Sequence, residues 1–172
     1  PGVLAHITDL FIGLPEPSLV VGNCNVWKDD GSLWFVSRPE KISLKNLLLC
    51  RFMEAFPMNS SSYFYHKSLH EKIGLYEVDE HYAMDVHFII KSVQVATVTY
   101  VDQIWGNYRY LPGTKTYEED KADRTNHRVR EIINKYTKKK PFSYQCNLII
   151  SQIVVMIINA LKLSSPIKGK SR

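Results

Sequence analysis

Three charged side chains, Asp85, Arg109 and Lys115, are the first candidates for chemistry in this chain. Asp85 lies near the start of a predicted helix over Tyr82–Val93, where free backbone N–H groups favour an ionised carboxylate. Such a carboxylate can accept a proton, and it can equally well cap the helix. Arg109 and Lys115 can place positive charge on phosphate oxygens, although ordinary solvation at a strand end or in a loop explains them as well.

Other acidic and histidine residues form no metal or phosphate site that the spacing identifies. Asp29 and Asp30 precede Gly31 between two β-rich runs, which indicates a hairpin turn rather than a metal-binding acid pair. Asp79-Glu80 lies in a polar loop and is expected to be solvated. Three histidines have no partners at metal-ligand spacing: His6, His70 and His127. No Gly-rich phosphate loop occurs in the chain either. From the spacing of its acids and histidines, metal ligands are not identifiable in this chain.

The composition is that of one folded domain. The 172 residues are 45% hydrophobic and 23% charged, which argues against disorder and is enough for one core. The three cysteines are far apart in sequence. A disulfide framework or zinc ribbon is therefore not expected, and a reducing compartment is favoured.

The net charge of +5 is unevenly distributed. Residues 124–172 contain eleven Lys or Arg and one acid, Glu131, whereas the rest of the chain carries 11 basic and 16 acidic groups. A mildly acidic body with a basic end is not typical of a nucleic-acid-binding domain, so we expect no nucleic-acid partner. The pattern indicates a folded domain with an electrostatic anchor.

Helix-like and strand-like segments alternate along the chain, which predicts an α/β or α+β fold. We expect helices over Val3–Leu14, Leu44–Phe56, Ser68–Ile73, Tyr82–Val93 and Tyr117–Thr137. We expect strands over Leu19–Trp27, Leu33–Val36, Tyr63–Tyr65, Ala96–Val101 and Ile104–Tyr110. Ser43 is expected to cap the second helix and Gly74 to end the third.

The stretch Ser61–Asp85 carries a resemblance to a known family. It contains a serine-rich loop, an aromatic strand ending in His66-Lys67, a short helix closed by Gly74, and a Tyr-Ala-Met-Asp element whose Asp85 follows that glycine by eleven residues. This order resembles the second half of a family 2 glycosyltransferase of the GT-A fold. Three further segments resemble flanking parts of the same family: Val20–Asn23, Asp30-Gly31 and Tyr108–Thr116.

The resemblance implies an inverting enzyme that moves a sugar from a nucleotide-diphosphate donor to a hydroxyl of a glycan or lipid-linked acceptor. Asp85 stands where the family has its general base, and a divalent metal, Mg²⁺ or Mn²⁺, is expected in the complete enzyme. Arg109 and Lys115 would contact the diphosphate or an anionic acceptor. His66 and Lys67 would line the acceptor cleft, with a surface position as the alternative.

Two positions depart from the family pattern. A second acid often follows the base by two residues, and here that position is His87. The histidine of the family's Tyr-Arg-x-His segment is Leu111 in this chain. Either change alters metal or diphosphate contacts, so activity does not follow from the fold alone.

The family's nucleotide-binding half and metal motif normally precede the equivalent of Val3, and nothing in this chain replaces them. We therefore expect residues 1–116 to be the acceptor-side half of a GT-A-like domain, a partial mixed sheet flanked by helices, inactive without the missing half. Residues 117–140 are expected to form a polar basic helix or linker, and 141–172 an apolar helix with basic flanks. By family analogy the role is bacterial surface-polysaccharide assembly.

Leu148–Leu163 is apolar over most of its surface, and its polar residues fall in one arc at helical spacing. Three roles are open: an anchor at a membrane interface beside Lys138–Lys140, a helix packed on the domain or a partner subunit, or a short transmembrane helix starting near Phe142. The first predicts a cytoplasmic protein at the inner face of the membrane. The alternative to a glycosyltransferase is a non-catalytic α/β module whose basic apolar tail binds a membrane surface or an acidic partner.

Overall fold

The structure, a computed structural model, describes residues 2–49, 55–80 and 82–164. Its frame is a mixed four-stranded sheet flanked by helices, which confirms the predicted mixture of α and β structure. The strands are β1 (Ser18–Trp27), β2 (Leu33–Ser37), β3 (Tyr63–Tyr65) and β4 (Thr97–Arg109).

β1 is the central strand and pairs with the other three. β4 runs parallel along one edge, from Ser18 opposite Thr97 to Trp27 opposite Arg109. β2 and β3 are antiparallel to β1 and share its other edge, with β3 opposite residues 19–21 and β2 opposite residues 24–27. Because both faces are covered, β1 is buried over nearly all its length, as its apolar β-branched run requires.

The predicted hairpin between β1 and β2 is confirmed. Gly31 adopts a φ of 79°, and the Lys28 N–H donates to the Ser32 carbonyl at 2.9 Å. The Asp30 carboxylate accepts the Ser32 N–H at 2.8 Å, and its hydrogen bonds to Ser32 lower its pKa. Asp30 is therefore a turn residue, as its position before glycine indicates.

β4 is a single strand of 13 residues where the sequence predicts two strands separated near Asp102. The predicted break is a bulge, because the pairing of β4 with β1 shifts register around Asn23 without interrupting the strand. The Asp102 carboxylate accepts hydrogen bonds from Asn23 Nδ2 at 2.7 Å and from the Arg38 guanidinium. The prediction of two strands is wrong because these long-range partners accommodate an aspartate inside a continuous strand.

Along the chain, helices precede the first strand, separate later strands and follow the last one. The α-helices whose bounds lie within the described residues are α1 (Val3–Ile12), α2 (Leu44–Leu48), α3 (Leu69–Ile73), α4 (Met84–Ser92), α5 (Lys115–Lys121), α6 (Arg124–Lys138) and α7 (Phe142–Ser164). Ser43 caps α2 as predicted, since its hydroxyl accepts a first-turn N–H at 3.3 Å. The rest of the helix predicted over Leu44–Phe56 falls largely on residues 50–54, which lie outside the described residues. Gly74 ends α3 as predicted, with a φ of 80°.

The polar stretch predicted as one helix over Tyr117–Thr137 is two helices, α5 and α6. They meet at Asp123, which adopts a left-handed φ of 53°. α6 lies within the segment 117–140, expected as a polar basic helix or linker, and its apolar residues at i, i+3, i+4 and i+7 are buried in the core: Val129, Ile132, Ile133 and Tyr136.

The hydrophobic core lies between the sheet and the helices. β1 contributes Leu19 and Val21, both fully buried. α2 and α4 contribute further buried side chains: Leu47, Leu48, Phe88, Ile89 and Ile90. The first turn of α4 is therefore held against the sheet by the buried residues that follow it.

α7 packs on the body through Leu148, which is buried, and Tyr144, which contacts the core. Its other side carries exposed apolar residues: Ile149, Ile150, Ile153, Val154, Met156 and Ile157. In the described part of the chain, no helix combines the length and the hydropathy needed to cross a membrane.

We expect Gly22→Ala to lower the free energy of unfolding by about 1–3 kcal/mol. A Cβ at residue 22 would lie 2.5 Å from the Trp105 ring and 2.9 Å from the backbone oxygen of Gln103, in the centre of the β1–β4 pair. Gly13→Ala is the matched control, because a Cβ there meets nothing within 4 Å and φ is −96°. Urea unfolding should show the first variant destabilised and the second unchanged or slightly stabilised; equal effects would contradict the packing described here.

Candidate functional site

A cavity of about 480 Å³ opens beside the first turn of α4, within the size range of ligand sites, roughly 300–1,000 Å³. Its walls come from residues 56–60, from β3 and β4, and from the α5–α6 pair. Its charged lining residues are Asp85, Lys115, Glu119 and Arg128. Its aromatic lining residues include Tyr63, Tyr76, Tyr82 and Tyr108.

Asp85 lies in the first turn of α4, and its half-buried side chain lines the cavity. Its Oδ1 accepts the Val86 N–H at 2.9 Å. The N-cap residue, Ala83, has no side-chain acceptor, so the Asp85 carboxylate is the group that meets the N–H groups at this helix end. Among the described residues, no cation forms an ion pair with Asp85.

The environment of Asp85 makes it a stronger base than an exposed aspartate. Burial raises the pKa of its carboxyl above the ordinary 3.8, while hydrogen bonds from the Val86 N–H and from its own N–H lower it. Burial is the larger effect. A carboxylate with a raised pKa takes up a proton more readily from a hydroxyl in contact with it.

Two cations lie beside the ring of Tyr82, three residues before Asp85. The Lys115 Nζ is 5.8 Å from the ring centroid, and the Arg128 guanidinium carbon is 5.0 Å from it. A cation within about 6 Å of an aromatic centroid is attracted to the ring face. Tyr82 is half-exposed, so the three side chains together form one rim of the cavity.

Arg128 joins the segment before α4 to the α5–α6 pair. Its guanidinium contacts the Glu80 carboxylate at 3.3 Å and the Glu119 carboxylate at 3.5 Å. Arg124 contacts Glu119 at 2.8 Å. Because the Glu119 side chain is only 6% exposed, both arginines are needed to compensate its buried charge.

Of the residues singled out from the sequence, Asp85 and Lys115 meet at the cavity, and three others do not line it. The His66 Nδ1 accepts the Ser18 N–H at 3.0 Å, which fixes the end of β3 against β1. Lys67 is exposed beyond β3. Arg109 is exposed at the end of β4.

His87, at the position where the family often has a second acid, is a core residue. It is 6% exposed, and its Nδ1 lies 3.1 Å from the Tyr136 hydroxyl on α6. Burial, with the nearby Lys135, lowers the pKa of its imidazole. The neutral ring can therefore accept the Tyr136 hydroxyl proton, and this hydrogen bond ties α4 to α6.

Tyr76 and Arg128 are site residues that the sequence does not indicate. Burial raises the pKa of Tyr63 and of Tyr76 to about 12, so both hydroxyls stay protonated at neutral pH and can donate hydrogen bonds. The alternation of the aromatic strand predicts that Tyr63 points inward. No local signal brings Tyr76, Tyr108 or Arg128 to the same cavity.

The described residues do not fit a divalent metal centre. Nowhere in ranges 2–49, 55–80 and 82–164 do three His, Cys, Asp or Glu side chains converge. The second acid on the cavity wall, Glu119, is already engaged by Arg124 and Arg128. The metal that the resemblance implies has no ligand set in this site, so no chemical step is assigned to it.

We expect Asp85→Asn to raise the free energy of unfolding at pH 7. Burial raises the pKa of Asp85 in the folded state, so the folded protein binds this proton more tightly than the unfolded chain. The stability linked to the protonated carboxyl is present at low pH and is lost as pH rises through the raised pKa. Asparagine keeps an acceptor for the Val86 N–H and removes the buried charge.

Urea unfolding at pH 7 and near pH 4 tests this, with the exposed Asp79→Asn as control. The Asp85→Asn variant should be more stable than the wild type at pH 7, and the difference should narrow as pH falls towards 3.8. A variant less stable than the wild type at pH 7 would mean that the carboxylate acts mainly as a helix cap.

Comparison with known proteins adds no assignment: no protein-family model, no curated protein and no solved structure matches this chain. The family resemblance of the sequence thus remains an expectation.

Proposed function

We propose that this chain forms the acceptor-side part of an inverting glycosyltransferase, with Asp85 as general base. The enzyme would move a sugar from a nucleotide-diphosphate donor to a hydroxyl of a glycan or lipid-linked acceptor. The observation that carries the proposal is the Asp85 carboxylate itself: it is half-buried, lines a cavity of ligand size, and has no cationic partner among the described residues.

The proposed step moves one proton and exchanges two bonds. An acceptor hydroxyl in contact with Asp85 gives its proton to the carboxylate as its oxygen attacks the anomeric carbon of the donor sugar. The new glycosidic bond forms on the face opposite the departing nucleotide diphosphate, so the configuration inverts. Burial supports this role, because a raised pKa makes Asp85 a better proton acceptor.

The cavity walls are suited to a hydroxylated ligand. Tyr76 provides a protonated hydroxyl, and Asn59 and Ser60 add polar groups to the lining. Apolar side chains fill the space between them, as is usual where a few polar groups orient a bound molecule. The proposal assigns the binding of the nucleotide and of Mg²⁺ or Mn²⁺ to residues outside this chain.

The exposed side of α7 favours a second candidate, binding to a membrane surface. Ile150, Ile153 and Ile157 are each at least half exposed on that side, and Lys138–Lys140 precede the helix. An apolar helix face with basic residues at its end suits the surface of an anionic bilayer. The two candidates are compatible, since a peripheral enzyme at the inner face of a membrane would meet lipid-linked acceptors there.

Asp85→Asn in the full-length protein that contains these residues should lower the rate of sugar transfer by about 10²–10⁴-fold, the usual contribution of a general base. Asparagine has nearly the same shape but cannot take up the proton. The measurement is release of nucleoside diphosphate with a panel of nucleotide sugars and acceptors, alongside circular dichroism to confirm folding. Asp79→Asn, in an exposed turn, should keep the full rate; an Asp85→Asn protein that does the same would refute the proposed role.

The double variant Ile153→Asp/Ile157→Asp should abolish flotation of the protein with vesicles containing anionic lipid. Two charges on the exposed side of α7 prevent that side from entering the apolar layer. Ile12→Asp is the matched control, since Ile12 is 81% exposed on α1, away from α7. Wild type that stays in solution with these vesicles would exclude the membrane candidate.

A further inference from the structure

The charges on the cavity wall do not all compensate one another. Glu80 and Glu119 are matched by Arg124 and Arg128, with nitrogen–oxygen distances of 2.8 to 3.5 Å. Two charges of the lining are left over, Asp85 and Lys115, and neither forms an ion pair with a described residue. Among its described lining residues, the cavity therefore offers one carboxylate and one cation without a charged partner.

Lys115 is exposed and lies at the rim of the cavity. It opens α5, next to the Thr114 that precedes the helix, and its ammonium lies 5.8 Å from the Tyr82 ring centroid. The Arg128 guanidinium carbon lies 5.0 Å from the centroid of the same ring. The Arg128 guanidinium is engaged in ion pairs with two glutamates. Among the described residues of this rim, the Lys115 ammonium is therefore the positive charge that is available to a ligand.

Three residues on the cavity walls have buried hydroxyl oxygens that lack partners among the described residues: Tyr63, Tyr108 and Thr125. Buried hydroxyls are normally hydrogen-bonded. Because these oxygens are shielded from the cavity, the groups that remain for a hydroxylated ligand are Asp85 and the polar side chains Asn59 and Ser60. Asp85, Asn59, Ser60 and Lys115 together suit a hydroxylated molecule that carries one anionic substituent.

We infer that the acceptor is an acidic glycan, in which a carboxylate or phosphate substituent on the sugar binds Lys115 while a free hydroxyl faces Asp85. This inference rests on the proposed function and specifies the substrate class of the same site. An anionic oxygen on a lysine ammonium forms a charge-assisted hydrogen bond, which a neutral sugar cannot replace. The donor's diphosphate is the competing source of the same oxyanion chemistry.

Equilibrium binding of four probes to the 172-residue chain distinguishes an anionic substituent of the acceptor from the diphosphate of the donor. They are a tetrasaccharide containing glucuronic acid, its carboxyl-reduced neutral counterpart, glucose 6-phosphate, and inorganic pyrophosphate as a stand-in for the donor's diphosphate. The uronate tetrasaccharide or the sugar phosphate should bind about tenfold or more tightly than the neutral tetrasaccharide, since a hydrogen bond to a charged group contributes at least that factor. The preference should fall as salt is added.

Variants of α5 identify the cation. Lys115→Gln should remove the preference for the anionic probe, and Lys115→Arg should keep it. Lys121→Gln is the matched control, because Lys121 ends the same helix and does not line the cavity. Asp85→Asn should bind the anionic probe at least as tightly as the wild type, because it removes a negative charge from the cavity.

The inference would be overturned if the neutral tetrasaccharide bound the wild type as tightly as the uronate tetrasaccharide and the sugar phosphate, or if no probe bound at all. It would also be overturned if pyrophosphate were the one probe whose binding depends on Lys115, or if the Lys115→Gln variant still bound the anionic probes more tightly than the neutral one. Failure of the proposed function would be seen separately, as an Asp85→Asn protein that still transfers sugar.

Discussion

The pairing of β1 with three other strands is the constraint on which the rest of this structure depends. β1 places β3 against its first half and β4 along its whole length. Val21 lies opposite Tyr63, and Val26 lies opposite Tyr108. Both tyrosines on the sheet side of the cavity are thus positioned by hydrogen bonds to one buried strand, and a change of one residue in either register would turn them to the other face.

The other wall of the cavity depends on charge as well as on packing. α6 is anchored in the core by Ile132 and Ile133, and Arg128 lies one turn before them. From there its guanidinium reaches both Glu80 and Glu119. Arg128 and Glu80 together connect the segment leading into α4 with the helix pair that faces it. Substituting this arginine would leave the buried Glu119 with one partner, so stability and cavity shape would change together.

Local features of the sequence predict most of the frame. The turn at Gly31, the cap at Ser43 and the helix end at Gly74 each depend on a few adjacent residues, and all three are confirmed. The single long β4 is not predictable in this way, because its bulge depends on Asn23 and Arg38 holding Asp102 from far away in sequence. Sequence reasoning therefore succeeds where the stabilising partners are neighbours.

The site follows the same rule. Asp85 and Lys115 stand out because their residue types and helix-end positions suggest chemistry, and both line the cavity. The residues that surround them in the cavity cannot be predicted from the adjacent sequence. His87 finds its partner Tyr136 49 residues away, and Arg128 finds Glu80 48 residues away. In the sequence, Arg128 is simply one of eleven basic residues in the C-terminal part, and only the folded chain shows it as an internal counter-charge.

The two carboxylates that line the cavity, Glu119 and Asp85, have opposite electrostatic environments. Glu119 is almost completely buried and is met by two arginines, which is the normal condition for a charge removed from water. Asp85 is also desolvated enough to raise its pKa, yet backbone N–H groups are its only described hydrogen-bond partners. An arginine beside Asp85 would stabilise the carboxylate and lower its pKa, and it would thereby weaken the carboxylate as a base. Leaving Asp85 without a cation among the described residues costs stability, and the proton transfer proposed for this residue would account for that cost.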